Sequence, residues 1–307
     1  MRIASLFSGA GGLDLGLIQA GHKVVWANDI FPDAVETYKL NIGSHISSKD
    51  IHDVKSSEIP DVDLVVGGFP CQGFSVANWG RNDADRRNFL YQEMVRVVRD
   101  KQPKFFIGEN VKGLVSFAKG KALASIVEDF SDCGYDVKWA VLNAADYGVP
   151  QKRQRVILFG VRKDVKFDGH FPPRRTHSNP KLKDGLRTKW ISVGKALKAI
   201  PEPTDKHSLK NHTASKYKLR FNNYIGHRVI DPDEPSPTIT ARGDEKGGVV
   251  VIHHPSNKRR MTAREQAVIQ TFPKDFEFFG CQTSAYRQIA NAVPPRLGFV
   301  LGMMLKK

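Results

Sequence analysis

The stretch Ile3–Ala20, IASLFSGAGGLDLGLIQA, decides the fold. Ile3–Phe7 is an apolar run, Ser8-Gly9-Ala10-Gly11-Gly12 interrupts it, and Leu13–Ala20 repeats its apolar positions with helical spacing. A strand, a glycine-rich turn and a helix N-terminus together make a cradle for a nucleotide-type ligand. The first N–H groups of the helix are unpaired, and glycines let a ligand approach the backbone. The spacing is not a dinucleotide fingerprint, because Asp14 stands at the third glycine place counted from Gly9. A second apolar run, Val24–Ala27, ends at Asn28-Asp29, about twenty residues on, where an acid can accept hydrogen bonds from ribose hydroxyls. Asp50-Ile51 follows a short third segment and suits an adenine edge. Tight turns in an α/β protein would account for the same glycines, so the turn alone leaves both readings open.

Further apolar runs follow at Leu64–Val66, Phe105–Ile107, Val137–Leu142 and Val156–Phe159. Helical patterns separate them, clearest at Pro32–Leu40, Phe89–Asp100 and Leu123–Cys133. Strands alternating with helices predict a mostly parallel sheet covered on both faces. After Arg162 the texture changes to polar, Pro-rich and basic sequence. A short helix is expected at Val193–Ile200, and a β-like piece at Gly248–Ile252. Another helix is expected within Met261–Phe272, where Thr262 and Glu265 have the spacing of a capping box. A last helix is expected over Pro294–Leu305. These changes divide the chain into a first domain, 1–203 completed by 283–307, and a second, 204–282.

The charge follows the same division. The 307 residues carry 47 basic and 32 acidic side chains, a net +15. Residues 1–160 hold 19 of each sign, whereas residues 161–260 hold 22 basic and 10 acidic residues and seven of the ten histidines. A neutral part that does chemistry and a basic part that meets a polyanion, most simply nucleic acid, fit this asymmetry; a merely soluble basic surface is the alternative. Cys71, Cys133 and Cys281 are odd in number and far apart, which argues against a disulfide framework or a zinc cluster and for a reducing cytoplasm. No run of 18 apolar residues offers a membrane span.

One of those cysteines lies in Val65–Ser75, VVGGFPCQGFS, just beyond an apolar strand. Ligands in open α/β sheets bind beyond the carboxyl ends of strands, so Cys71 should face the same crevice as the glycine turn, either as a packed thiol or as a nucleophile. Gly108-Glu109-Asn110-Val111 places an acid beyond the next strand, where a partly apolar setting can keep a carboxyl protonated. In Gln151-Lys152-Arg153-Gln154-Arg155, strand alternation would put Arg153 and Arg155 on one side, suited to a phosphate or a carbonyl oxygen.

In this order the motifs resemble those of bacterial DNA cytosine-5 methyltransferases of the restriction-modification type. FSGAGGLDLG is similar to that family's S-adenosylmethionine turn and GGFPCQGFS to its nucleophile loop. DRRNFLY, GENV, QKRQR, RRMTAREQAVIQTFP and QIANAVPP resemble its later motifs, and the likeness runs through essentially the whole chain. Ala290 stands where the family usually has Gly. The resemblance implies a Rossmann-like α/β methyltransferase sheet with a smaller, mostly β or irregular target-recognition domain. It implies Cys71 as nucleophile, Glu109 as acid, and Arg153 and Arg155 beside the base. For S-adenosylmethionine it implies Phe7, Gly9, Gly11, Gly12, Asp29, Ile30, Asp50, Ile51, Pro70, Leu90 and Asn291. For double-stranded DNA it implies Ser75, Thr238, Thr240 and Arg242, with no metal. A cytoplasmic monomer, with a possible restriction endonuclease acting separately, completes the expectation. An RNA cytosine methyltransferase on the same fold is an alternative that basic charge cannot separate. A non-catalytic relative is disfavoured by the intact Cys71 and Glu109. An amino-group methyltransferase is disfavoured by the absence of an acid or Asn followed by Pro-Pro and an aromatic.

Overall fold

The computed structural model describes residues 1–70, 90–182, 185–215, 218–224, 226–241 and 250–306. Cys71, Ser75 and Arg242, and with them most of the segment after the nucleophile position, lie outside the described residues.

The first strand, β1 (Arg2–Leu6), feeds α1 (Gly12–Gln19) through the glycine turn. It is followed by β2 (Lys23–Asn28), α2 (Pro32–Asn41), β3 (Ile46–Ser47), β4 (Leu64–Gly67), α3 (Leu90–Lys101), β5 (Phe105–Val111), α4 (Lys121–Asp132), β6 (Tyr135–Asn143) and β7 (Gln154–Arg162). The seven strands form one sheet in the order β3-β2-β1-β4-β5-β7-β6. Pairing is parallel from β3 through β5, and β7 runs antiparallel to both β5 and β6.

Period-two alternation sorts the strand side chains onto two cores. Ile3, Leu64, Val66, Phe105, Ile107, Ile157 and Phe159 point to one face, where Leu13, Leu17, Leu297 and Leu301 cover them. Ala4, Leu6, Val65, Phe106, Val156 and Leu158 point to the other, against Met94, Val97 and Val98 of α3 and Leu123, Ile126 and Phe130 of α4. Burial on both faces explains why these strands read as continuous apolar runs. On the first face α1 packs against the last helix, α8 (Pro295–Met304). The approach is close: a Cβ on Gly16 would lie 2.1 Å from the Pro295 carbonyl oxygen, and one on Gly298 would lie 2.6 Å from that of Leu13.

Asp14, the residue that breaks the dinucleotide pattern, is fully buried in the first turn of α1. It accepts hydrogen bonds from the Ser5 hydroxyl (2.7 Å) and the Tyr38 hydroxyl (2.9 Å). Burial outweighs these bonds and raises its pKa from 3.8 to about 6. The folded protein therefore binds this proton more tightly than the unfolded chain does. Its carboxylate costs stability above about pH 6, and that cost fades as the pH falls from about 6 toward 3.8. The scale is ~3 kcal/mol. Asp14→Asn is expected to flatten the dependence of stability on pH in that window, measured by thermal or urea unfolding at a series of pH values. Parallel curves for the two proteins would remove Asp14 as the source.

Beyond β7 the chain forms the short pair β8 (His177–Ser178) and β9 (Thr188–Lys189), then α5 (Val193–Leu197), α6 (Ala263–Ile269) and α7 (Gln282–Asn291). The capping box forms as the sequence predicts: Thr262 accepts from the Glu265 backbone N–H at 3.1 Å, and Glu265 accepts from that of Thr262 at 2.8 Å. The helix is shorter than Met261–Phe272, because Thr271 turns into the left-handed region at φ 69°. The β-like piece expected at 248–252 is irregular over its described residues 250–252. Among the described residues of 204–282, pairing consists of isolated bridges, among them Gln151 with Ser236 and His253 with Arg260, and Ala241 is in another. Residues 277–279 are tied to α2. The Asn41 amide exchanges two hydrogen bonds with the Glu277 backbone (2.8 and 2.9 Å), and the Phe279 N–H donates to the Thr37 hydroxyl at 2.8 Å.

Candidate active site

The sheet order brings three motifs to one edge. Gly67 of β4 lies in register with Gly108 of β5, so the carboxyl ends of both strands meet there. Because β7 runs the other way, its first residues reach the same edge, with Arg155 opposite Val111. Glu109, 9% exposed, meets Arg155 across the strands, with Nε 2.9 Å from Oε1. The contact is an ion pair without the alignment of a hydrogen bond, and Oε1 has no hydrogen-bond partner among the described residues. The other carboxylate oxygen lies over Gly68, 3.3 Å from where a Cβ would stand. The buried Asn110 amide donates to the Phe69 carbonyl at 3.0 Å, which ties the end of β5 to the chain immediately before Pro70 and Cys71. Sequence reasoning assigned no role to Asn110 or Gly68. Their signal was position, each beside a reacting residue in GENV and GGFPC.

Arg153 takes a different direction from Arg155. Its guanidinium is buried and donates to the carbonyls of Ile239, Ala290 and Ala292, each at 3.0 Å. Burial, helped by the nearby charge of Arg155, opposes its own charge, and Glu109 offsets part of that. It lies before the first residue of β7, where Gln151 is bridged to Ser236, so strand alternation does not carry it to the side of Arg155.

The glycine turn separates its residues by task. Phe7 (φ 54°), Gly9 (φ 54°) and Gly11 (φ 82°) all adopt the left-handed region. A Cβ on Gly12 would lie 2.2 Å from the Val293 carbonyl oxygen, and one on Gly11 would strike Ile42, so these two glycines serve close packing. Beside Gly9 nothing comes within 4 Å, which leaves the backbone open to a ligand. The Gly9 N–H donates to Asp29 Oδ2 at 2.7 Å, and the Phe31 N–H donates to Oδ1 at 2.8 Å. Burial raises the Asp29 pKa against these bonds. Ile30 next to it is 63% exposed. The Asn28 amide donates to the Ser47 and Lys49 carbonyls (3.2 and 2.8 Å), which holds the segment bearing Asp50 and Ile51 beside the end of β2. Asp50 is half-buried and accepts from the His52 N–H at 3.0 Å, while Ile51 is buried. Leu90 is half-buried at the start of α3, Pro70 is exposed, and Asn291 is exposed at the end of α7. An open glycine, an anchored acid and an exposed aliphatic side chain suit an adenosine moiety: backbone, ribose hydroxyls and base face in turn.

Thr238 and Thr240 sit on a strap fastened to the arginine motif. The Ser236 N–H donates to the Pro150 carbonyl and the Lys152 N–H to that of Ser236 (2.9 and 2.8 Å). The Ile239 N–H donates to the Gln151 side chain at 3.1 Å, and the Thr238 hydroxyl to the Lys152 carbonyl at 2.6 Å. Thr238 also lines a cleft of about 410 Å³ together with Lys112, Asn143, Lys152, Gln154 and Arg155.

The carboxyl edge of this sheet thus combines a nucleotide-type crevice with an acid–arginine pair, a site suited to an enzyme that uses a nucleotide cofactor. The profile of the C-5 cytosine-specific DNA methylase family matches residues 1–307, and the chain belongs to that family. It is similar to the type II methyltransferase M.NgoFVII of Neisseria gonorrhoeae, 41% identical over 96% of this chain and 83% of that protein. M.FnuDI of Fusobacterium nucleatum is 34% identical over 100% of this chain and 94% of its own length. An E. coli prophage protein described as a DNA modification methyltransferase superposes with a TM-score of 0.79 at 25% identity, covering 99% of this chain and 98% of that one. The S. pombe Dnmt2 methyltransferase shares the fold, with a TM-score of 0.68 at 19% identity over 99% and 98% of the two chains. The protein is a DNA (cytosine-5)-methyltransferase, and its methyl donor is S-adenosylmethionine. Among the described residues no helix is long and apolar enough to cross a membrane.

Proposed function

We propose that the protein methylates a cytosine flipped out of a short specific sequence in duplex DNA, through a covalent bond to Cys71. The observation that carries this reading is the Glu109–Arg155 pair, 2.9 Å apart, at the strand edge where Asn110 fixes the approach to Cys71. Carbon 5 of cytosine is a poor nucleophile, and inside a duplex it is out of reach, so the base must leave the stack. The Cys71 thiolate adds to carbon 6 while Glu109, which takes up a proton from solvent as the base enters, gives it to ring N3, and the pair of electrons released makes carbon 5 enamine-like. S-adenosylmethionine, held by Phe7, Gly9, Asp29, Ile30, Asp50 and Ile51 with Leu90 and Asn291 beside them, supplies an electrophilic methyl group. Carbon 5 would take that methyl as the methyl–sulfonium bond breaks and S-adenosylhomocysteine is left; a base or water then removes the carbon 5 proton. The carbon 6–sulfur bond breaks, Cys71 leaves as thiolate, and N3 returns its proton to Glu109. Arg155 holds Glu109 and faces the base, and Arg153 positions the motif through its three carbonyls.

Residues 204–282 serve as the target-reading region, with Thr238, Thr240 and Arg242 as its DNA contacts, Ser75 as a further one, and 261–279 bracing it on the first domain. Its basic charge supports DNA binding that weakens with salt. The relatives' type II designation supports a modification role beside a separate restriction endonuclease; a cytoplasmic monomer is part of the same proposal. Incubating the protein with tritiated S-adenosylmethionine and unmethylated genomic DNA, then sequencing after bisulfite treatment, should reveal 5-methylcytosine at one short motif. Cofactor binding without transfer to any DNA would overturn the reading, and transfer to tRNA instead would replace the substrate.

A further inference from the structure

We infer that Arg228 is the side chain that reads a guanine of the recognition sequence, through the two terminal nitrogens of its guanidinium. The inference rests on the DNA methylation proposed above and names one determinant of its specificity. Arg228 lies in a built turn. Asn223 and Gly226 both adopt the left-handed region (φ 61° and 89°), and the His227 N–H donates to the Tyr224 carbonyl at 2.8 Å. Just beyond it, the Asn257 side chain exchanges two hydrogen bonds with the Ile230 backbone, both 2.9 Å, which fixes where the turn leaves.

Within this turn Arg228 Nε donates to the Asn223 carbonyl at 3.0 Å. That bond orients the guanidinium and leaves Nη1 and Nη2 with no hydrogen-bond partner among the described residues. The side chain lines a cavity of about 190 Å³ together with Gly226, Ile230, Thr238, Thr240 and Ile252. Among the described residues no other charged side chain lines it. A single planar fork against aliphatic walls matches a flat base edge with two adjacent acceptors. In the major groove those are O6 and N7 of guanine, for which arginine is the commonest partner. Thr238 is poorly placed to compete, since its hydroxyl is committed to the Lys152 carbonyl. Thr238 also lines the cleft that holds Arg155, so one strap residue borders both the reading cavity and the catalytic pair. Around Arg228 the side chains of Phe221, Tyr224 and Val229 are 54%, 70% and 68% exposed, apolar surface that a groove of stacked bases and sugars would cover.

The test follows the wild-type recognition sequence once bisulfite sequencing has defined it. Each guanine of a synthetic duplex is replaced in turn by 7-deazaguanine, which lacks the N7 acceptor, and kcat/KM is measured for wild type, Arg228→Ala and Arg228→Lys. One position is expected to lower wild-type kcat/KM about 5- to 150-fold. Arg228→Ala should be indifferent to the analogue there and should accept other bases at that position, whereas Arg228→Lys, which keeps a donor to N7 and O6, should retain part of the sensitivity. Calorimetric binding of S-adenosylhomocysteine should match wild type in both, which shows that they fold. An analogue profile unchanged by Arg228→Ala overturns the inference, as does a wild type insensitive at every guanine. So does a uniform loss in Arg228→Ala on all duplexes with a shallower salt dependence, the mark of a phosphate contact. A wild type that methylates no DNA removes the underlying reading and this inference with it; a methylating wild type with an unchanged profile overturns the inference alone.

Discussion

Cys71→Ser is expected to abolish methyl transfer while leaving DNA and cofactor binding intact. The loss should be on the order of 10⁶, the scale found when a covalent catalyst is deprived of its nucleophile. A thiol with an ordinary pKa near 8.5 is already a few per cent thiolate at neutral pH, and its microenvironment can raise that fraction. A serine hydroxyl has no comparable anionic population and cannot start the addition to carbon 6. The substitution changes one atom in a segment that follows the tethered Phe69, so the approach to the site is preserved. Single-turnover transfer of tritiated methyl, read beside a gel-shift titration, separates chemistry from binding. Duplexes with 5-fluorocytosine at the target give a second readout. The fluorine cannot leave as the proton does, so wild type should form a complex stable to denaturant and Cys71→Ser should not. Turnover within about tenfold of wild type would remove Cys71 as nucleophile.

Glu109→Gln is expected to lower kcat by about 10²–10⁴-fold, the range for a positioned proton donor. Glutamine keeps the shape that fits over Gly68, where only 3.3 Å separates the carboxylate from the place of a Cβ. It cannot hand a full proton to ring N3, and it leaves Arg155 without its counter-charge in a setting where each side chain is only 11% exposed. Removing one partner of a buried pair carries a stability cost of about 3–5 kcal/mol. A lower melting temperature should therefore accompany the loss of rate. The cofactor crevice is built on β1, β2 and the residues after β3, so the dissociation constant of S-adenosylmethionine should barely change. Near-normal kcat would take Glu109 out of the chemistry, and a large change in cofactor affinity would move it to the wrong crevice.

The sequence pattern carried the sheet well because its strands are buried on both faces. Ile3, Val65, Phe106 and Ile157 sit in apolar runs that no amphipathic helix would produce, and the glycine turn, the strand-end acids and the capping box at Thr262 are local devices legible from spacing. Strand order was not legible. Nothing within Gln154–Arg162 says that it reverses direction and inserts between β5 and β6; only pairing with distant strands decides that. The reversal is what turns QKRQR, at the start of one strand, toward Glu109 at the end of another. Alternation predicted one side for Arg153 and Arg155 and failed because Arg153 precedes the strand and is held by carbonyls 86 to 139 residues away. The three turn glycines look alike in sequence. Only the presence of Val293 behind Gly12 and of open space beside Gly9 tells packing from ligand contact. The proposed reading residues were the least legible, since the described part of 204–282, with isolated bridges in place of strands, has no period to read.

The seam between α1 and α8 has a consequence for how the chain comes to be active. Helices formed by residues 12–19 and 295–304 meet through glycines so closely that neither face can be covered by anything bulkier. During synthesis the first helix therefore waits, its apolar side bare, until residues 295–304 have emerged. Arg153 waits as well, because two of the three carbonyls that neutralise its burial belong to Ala290 and Ala292. Contacts of such long sequence separation close slowly. A nascent chain that already displays Cys71 and Glu109 would thus lack a seated arginine motif, and competence for methyl transfer would arrive as one late event instead of growing by degrees.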